Sequence, residues 1–211
     1  MQREALMRER INAAAAWHWT TGLRILRLTP SWVLLVPALG ALVIYGLNTI
    51  PELRPYLSKD SAELVSPIIL AAGVLLGAWL AFTRPHIYYK WLAVFALCLF
   101  LRELHFRGTN TGFYIALVAL ILWASHARDS LEPFFSNRTV VTLLMTVLWT
   151  YFVSKTFDRH LWDGLMTGTL TRDLFEENLE ILGHGLFVVL VVVSAFVDGV
   201  PVITPPRHPS G

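Results

Sequence analysis

The chain has 211 residues, 55% of them hydrophobic and 15% charged, with a mean hydropathy of +0.55 and a formal net charge of +2. A charged share so far below the ~25% of soluble domains excludes an ordinary water-soluble fold. The small net charge, with no basic run, excludes a nucleic-acid partner, and a single cysteine, Cys98, excludes an intrachain disulfide framework.

The N-terminal lead, residues 1–30, differs in kind from the rest of the chain. Gln2–Arg10 is a charged helix former, Ala13–Ala16 leads into Trp17 and Trp19, and Arg24 and Arg27 sit among aliphatic residues. Tryptophan and arginine beside aliphatic side chains suit a helix lying in the membrane interface or docked on a partner subunit. Five arginines along it argue against a span, because each central arginine costs about 2.5–3.5 kcal/mol on insertion.

Six apolar blocks occupy the chain beyond the lead, at about Ser31–Ile50, Ser66–Phe82, Tyr88–Phe106, Thr111–Ser125, Thr139–Phe157 and Asn178–Val197. Their length and flanks read as spanning helices. The second carries Gly73 and Gly77, a small-xxx-small spacing that lets two helix backbones approach closely. Short connections carry boundary residues such as Pro51, Pro55, Ser66-Pro67, Arg84-Pro85 and Pro133. The fold class expected is all-α, a polytopic membrane bundle of six spans (31–199) behind an interfacial amphipathic helix (1–30), with an extended proline-rich tail (200–211).

Orientation comes from the basic residues. With the N-terminus inside, the inner segments hold Arg3, Arg8, Arg10, Arg24, Arg27, Arg84, Lys90, Arg128, Arg138 and Arg207, against Arg54, Lys59, Arg107, Arg159 and Arg172 outside. That imbalance predicts both termini in the cytoplasm, with the chain in an inner (plasma) membrane.

The chemistry concentrates where apolar runs are too short. After His184 the apolar run lasts only about 13 residues against the ~20 a span needs, so Glu180 and His184 are drawn below the headgroups. The third block has an apolar run of only about 11 residues, Trp91–Leu101, which draws in Arg102, Glu103 and His105. The fifth block closes with Lys155, Asp158 and Arg159. Six spans put all three ends on the outer side. Buried ionisable residues are expensive, and they are paired or functional.

Two uses of such a cluster stand open. One is a metal-dependent site acting on a lipid-like substrate. His105, Glu180 and His184 would then be ligands for zinc, iron or manganese. Glu103, Asp158 and Glu177 would supply acid–base chemistry, and Arg102, Lys155 and Arg159 would hold an anionic headgroup. The alternative is a non-catalytic integral subunit of a larger membrane complex, with the cluster as an interhelical ion-pair network. The partners expected are membrane lipids and other membrane subunits. No HExxH, paired ExxH or GxSxG motif is present, so the sequence points to no family.

Overall fold

A computed structural model describes residues 2–104, 109–166 and 170–197. Every regular element among them is helical: α1 (Gln2–Leu28), α2 (Val36–Asn48), α3 (Lys59–Thr83), α4 (Ile87–Glu103), α5 (Thr109–His126), α6 (Arg128–Ser136), α7 (Arg138–Asp158) and α8 (Arg172–Phe196). Short 3₁₀ turns at Ser31–Leu35, Arg54–Leu57 and Asp163–Leu165 join them.

Four segments are long and apolar enough to cross a membrane: Ser31–Asn48, α3, α7 and α8. Residues from Thr111 through α5, together with α6, make a fifth if that pair, bent by 99°, counts as one span. α4 has 17 residues and ends in Arg102 and Glu103, so length alone does not carry it across. The sequence reading counts six by including α4. Leu39, Leu42, Leu75, Phe82, Ile115 and Phe196 are among many large apolar side chains on the outside. That surface suits hydrocarbon better than water.

Helix starts are set by side-chain caps that satisfy free backbone N–H groups. Ser58 Oγ accepts from Ser61 N at α3, Asn137 Oδ1 accepts from Thr139 and Val140 N at α7, and Thr171 Oγ1 accepts from Leu174 N at α8. At α4 the cap is His86, whose Nδ1 accepts from Tyr88 N. Burial pushes the His86 imidazole below its ordinary value, which favours the neutral form that can accept this bond. The α7 end is closed by His160, which adopts φ 62°. That is the left-handed conformation common just past a helix C-terminus.

Two boundaries differ from the sequence reading. Ser66-Pro67 lies inside α3, not at its start, because the Ser58 cap nucleates the helix two turns earlier. Pro133 lies inside α6, a short helix where the sequence suggests only a connection.

α8 is the hub. It packs most extensively along α7 and also against α3 and α2. α4 meets it through side chains: Phe95 and Phe187 are edge to face at 5.4 Å, and the Tyr88 hydroxyl bonds Ser194 Oγ at 2.9 Å. The glycine pair serves this internal packing. A Cβ on Gly73 would lie 3.4 Å from Val188 of α8, and one on Gly77 would lie 3.2 Å from the Ala93 backbone of α4. At the other end, α1 is docked on α5 and α6 through His18–Ser125 and Arg24–Glu132. The proline-rich tail expected at 200–211 lies outside the described residues.

Gly77→Leu should therefore separate α3 from α4 and destabilise the bundle by about 1–3 kcal/mol, the usual range for overpacking. Gly46→Leu, where a Cβ meets nothing within 4 Å, should be near neutral. Thermal unfolding of the two variants in detergent checks this; equal melting shifts would contradict it.

Candidate functional site: a buried ion-pair cluster

Three helix segments converge on one end of the bundle. They are the last turn of α4, the last two turns of α7 and the first three turns of α8. α7 and α8 run antiparallel, and Ser154 Oγ donates to the Glu176 carbonyl at 3.0 Å, which fixes their register. Glu176, Glu180 and His184 are spaced four apart and so share one helix face.

Glu180, only 5% exposed, is the centre. Its Oε1 accepts from Arg102 Nη2 at 2.9 Å and lies 2.8 Å from Lys155 Nζ. Lys155 also reaches Glu176 Oε1 at 2.6 Å. A cation from α4 and a cation from α7 thus share one carboxylate oxygen of α8. Arg102 also lies over the Phe113 ring of α5, 5.7 Å from its centroid, a cation–π contact that ties in a fourth helix.

His184 is fully buried beneath this level. Its Nδ1 hydrogen-bonds the Tyr151 hydroxyl at 2.6 Å, and its Nε2 faces Glu103 Oε1 at 3.6 Å. Nε2 has no hydrogen-bond partner among the described residues. With the proton on Nε2, Tyr151 donates to Nδ1 and the ring N–H points toward Glu103. The Tyr151 ring fits because Gly183 has no side chain: a Cβ there would sit 2.7 Å from Tyr151 Cε1.

The structure brings together five of the nine residues expected at this site: Arg102, Glu103, Lys155, Glu180 and His184. Asp158 and Arg159 do not join them. They are exposed at the end of α7, whereas Phe157 beside them is buried and stacks on Phe175 in the first turn of α8. Glu177 is half-buried on the neighbouring face and makes no ion pair among the described residues. His105 lies outside the described residues. The sequence reading misses Tyr151 and gives Glu176 no role. Both are marked by helical spacing: Tyr151 lies four residues before Lys155, and Glu176 four before Glu180.

No protein-family model, curated protein or solved structure matches this chain. Its function therefore rests on the geometry alone. Among the described residues, no group of three or more histidine, cysteine, aspartate or glutamate side chains is arranged to hold a metal ion. Within the cluster Lys155 and Arg102 pair with the Glu176 and Glu180 carboxylates, these polar bonds join α4, α7 and α8, and the cation–π contact adds α5.

Glu180→Gln should destabilise the protein by about 3–5 kcal/mol, the range for breaking a buried pair and leaving a charge uncompensated. Asp158→Asn should stay within about 0.5 kcal/mol, as surface changes do. Denaturant unfolding of the two purified variants checks this, and a neutral Glu180→Gln would refute the structural weight placed on that carboxylate.

Proposed function

We propose that this protein is a non-catalytic, multi-pass subunit of an inner-membrane complex, and that the cluster is the clasp that holds its helices in place. The observation that carries this reading is the sharing of Glu180 Oε1 by Arg102 and Lys155. A carboxylate saturated by two cations is a poor base and a poor metal ligand, whereas it is well suited to fixing three helices relative to one another. Six spans, both termini in the cytoplasm, an interfacial lead and contacts with lipids and other membrane subunits complete the proposal. The excess of Lys and Arg on one set of connections supports that orientation.

A second reading is favoured by one specific feature. His184 Nε2 is buried without a hydrogen-bond partner among the described residues and faces Glu103 Oε1. An imidazole nitrogen and a carboxylate oxygen 3.6 Å apart are spaced so that one metal ion of ordinary N/O bond length could bridge them. A metal-dependent site acting on a lipid-like substrate would start from that pair.

Two measurements separate these readings and test the topology. Elemental analysis of the purified full chain should find no stoichiometric zinc, iron or manganese, and mild extraction should keep it with other subunits. One equivalent of metal, lost in His184→Ala with the helical content intact, would favour the second reading. In a Cys98→Ser background, Leu161→Cys should react with a membrane-impermeant maleimide from outside intact cells. Reaction only in inverted vesicles would overturn the orientation.

A further inference from the structure

A groove of about 510 Å³ lies at the opposite end of the bundle from the clasp, between the turn at Pro30 and Trp32, the start of α7 and the second half of α8. That volume is in the range of small-molecule sites. The groove faces outward: Trp32 is 53% exposed and Val189 is 45% exposed. Its wall is graded from polar to apolar. Arg138 and Thr139 stand at the mouth, in the first turn of α7, and Thr142 and Leu143 follow one turn further in on the same faces. α8 runs the other way, so Val193 lies toward the mouth and Val189 deeper. No Asp or Glu among the described residues lines the groove.

The polar side chains of this wall are uncommitted. Arg24, Arg102 and Arg172 each hold a carboxylate, but Arg138 makes no ion pair or side-chain hydrogen bond among the described residues. Further along α7, Thr146 and Thr150 donate their hydroxyls to the Thr142 and Thr146 carbonyls. Thr139 and Thr142 make no such bond. The Trp91 and Trp149 indoles donate to the Leu120 and Leu34 carbonyls, and Trp32 donates to no described residue. Arg138 does not serve α7 either. A cation in the first turn opposes the helix dipole, and no acidic residue there offsets it. A lone cation and free hydroxyls above an apolar groove are complementary to an anionic head on an apolar body, which is how basic pockets between spans recognise lipid head groups.

We propose that this groove binds one anionic glycerophospholipid. Its phosphate pairs with the Arg138 guanidinium and the Thr139 hydroxyl. Thr142, one turn deeper, meets the glycerol level, Trp32 flanks the head group, and an acyl chain lies along Leu143, Val189 and Val193. A free phosphate is not the occupant, because the apolar part of the wall would contribute nothing to it. The proposal rests on the reading of the chain as membrane-embedded with this end in the cytoplasmic leaflet, where anionic lipids gather. It is independent of the clasp, with which the groove shares no residue. Binding in detergent reads the site whichever way round the chain lies, so an inverted topology would leave the result unchanged.

The test titrates the purified, delipidated full chain in detergent with dioleoylphosphatidylglycerol in one arm and dioleoylphosphatidylcholine in the other, with bound lipid counted by native mass spectrometry. The two lipids share their chains, but the choline cation already neutralises the phosphate. One equivalent of phosphatidylglycerol should bind saturably and about tenfold tighter than phosphatidylcholine. Arg138→Gln should remove that preference, the loss expected for a charge-assisted hydrogen bond. Arg138 is exposed, so its variant tests binding and not folding. Arg128→Gln, the same charge change outside the groove, should keep the preference. Val189→Trp should weaken binding of both lipids by filling the groove while leaving Arg138 in place. Glycerol phosphate at the same concentration should not displace the lipid. Equal affinity for the two lipids, or equal losses in Arg138→Gln and Arg128→Gln, would overturn the proposal. So would displacement by glycerol phosphate, which would assign a phosphate site with no place for the chains. A protein that binds neither lipid but forms a dimer that Val189→Trp dissociates would give the groove to a second copy, and would overturn it too.

Discussion

A carboxylate inside a helix bundle has to be neutralised by its own surroundings, and Glu180 is neutralised by two cations carried on two other helices. The arrangement depends on that constraint. Burying an isolated carboxylate would cost many kcal/mol or force it to take up a proton. α4 and α7 therefore have to deliver Arg102 and Lys155 to the same depth of α8. Once they do, the level below is set as well: Glu103 is next to Arg102 in the chain and comes to face His184, and Tyr151, one turn before Lys155, reaches the other nitrogen of the same ring.

Apolar burial cannot supply the same specificity here. In hydrocarbon the outside of a helix is as comfortable as the inside, so association rests on close packing and on polar bonds between helices. This chain uses both. Gly73, Gly77 and Gly183 each leave room for a neighbour: α8, α4 and the Tyr151 ring respectively. At the end away from the clasp, aromatic side chains take over. Tyr88 stacks on Phe134 at 3.8 Å with an interplanar angle of 9°, and both Tyr88 and Tyr89 bond Ser194 near the end of α8. One end of α8 is thus held by ion pairs and the other by tyrosine hydroxyls, with an apolar stretch between.

Much of this is legible in the sequence, and the reasons are specific. The apolar blocks show because spans must be long and continuous. The cluster shows because two of those blocks are too short, which forces Arg102, Glu103, Glu180 and His184 inward. The illegible parts have equally specific causes. Tyr151 sits in an apolar run and carries no charge, so nothing in composition marks it. Its spacing, four residues before Lys155, and the small residue beside His184 are the two hints of a ring packed there. Asp158 satisfies the helical spacing of the site but falls on the last turn of α7, and spacing alone cannot show that Phe157, not Asp158, is the residue buried against α8 there. Pro67 and Pro133 look like breaks, yet both lie inside helices, α3 and α6, despite the lost hydrogen bond and the clash with the preceding turn. A cap such as Ser58, at about 1 kcal/mol, offsets only part of a cost of about 3 kcal/mol, so tertiary packing has to carry the rest.

The central claim is that Arg102 and Glu180 are coupled through a buried contact and not merely near each other. A double-mutant cycle measures that directly, using Arg102→Met, Glu180→Leu and the pair, with reversible denaturant unfolding of all four proteins in mixed micelles. Glu180→Leu also removes the Lys155 contact, but that loss is common to the single and the double variant and cancels in the cycle, while Lys155 keeps Glu176 in all four proteins. The account predicts that each single change destabilises strongly and that the double variant recovers part of the loss, with a coupling of about 1.5 kcal/mol or more. That is the behaviour of buried pairs, where the uncompensated partner is the main penalty. Single effects that add to within about 0.5 kcal/mol would mean the two side chains do not sense each other, and the clasp would have to be abandoned.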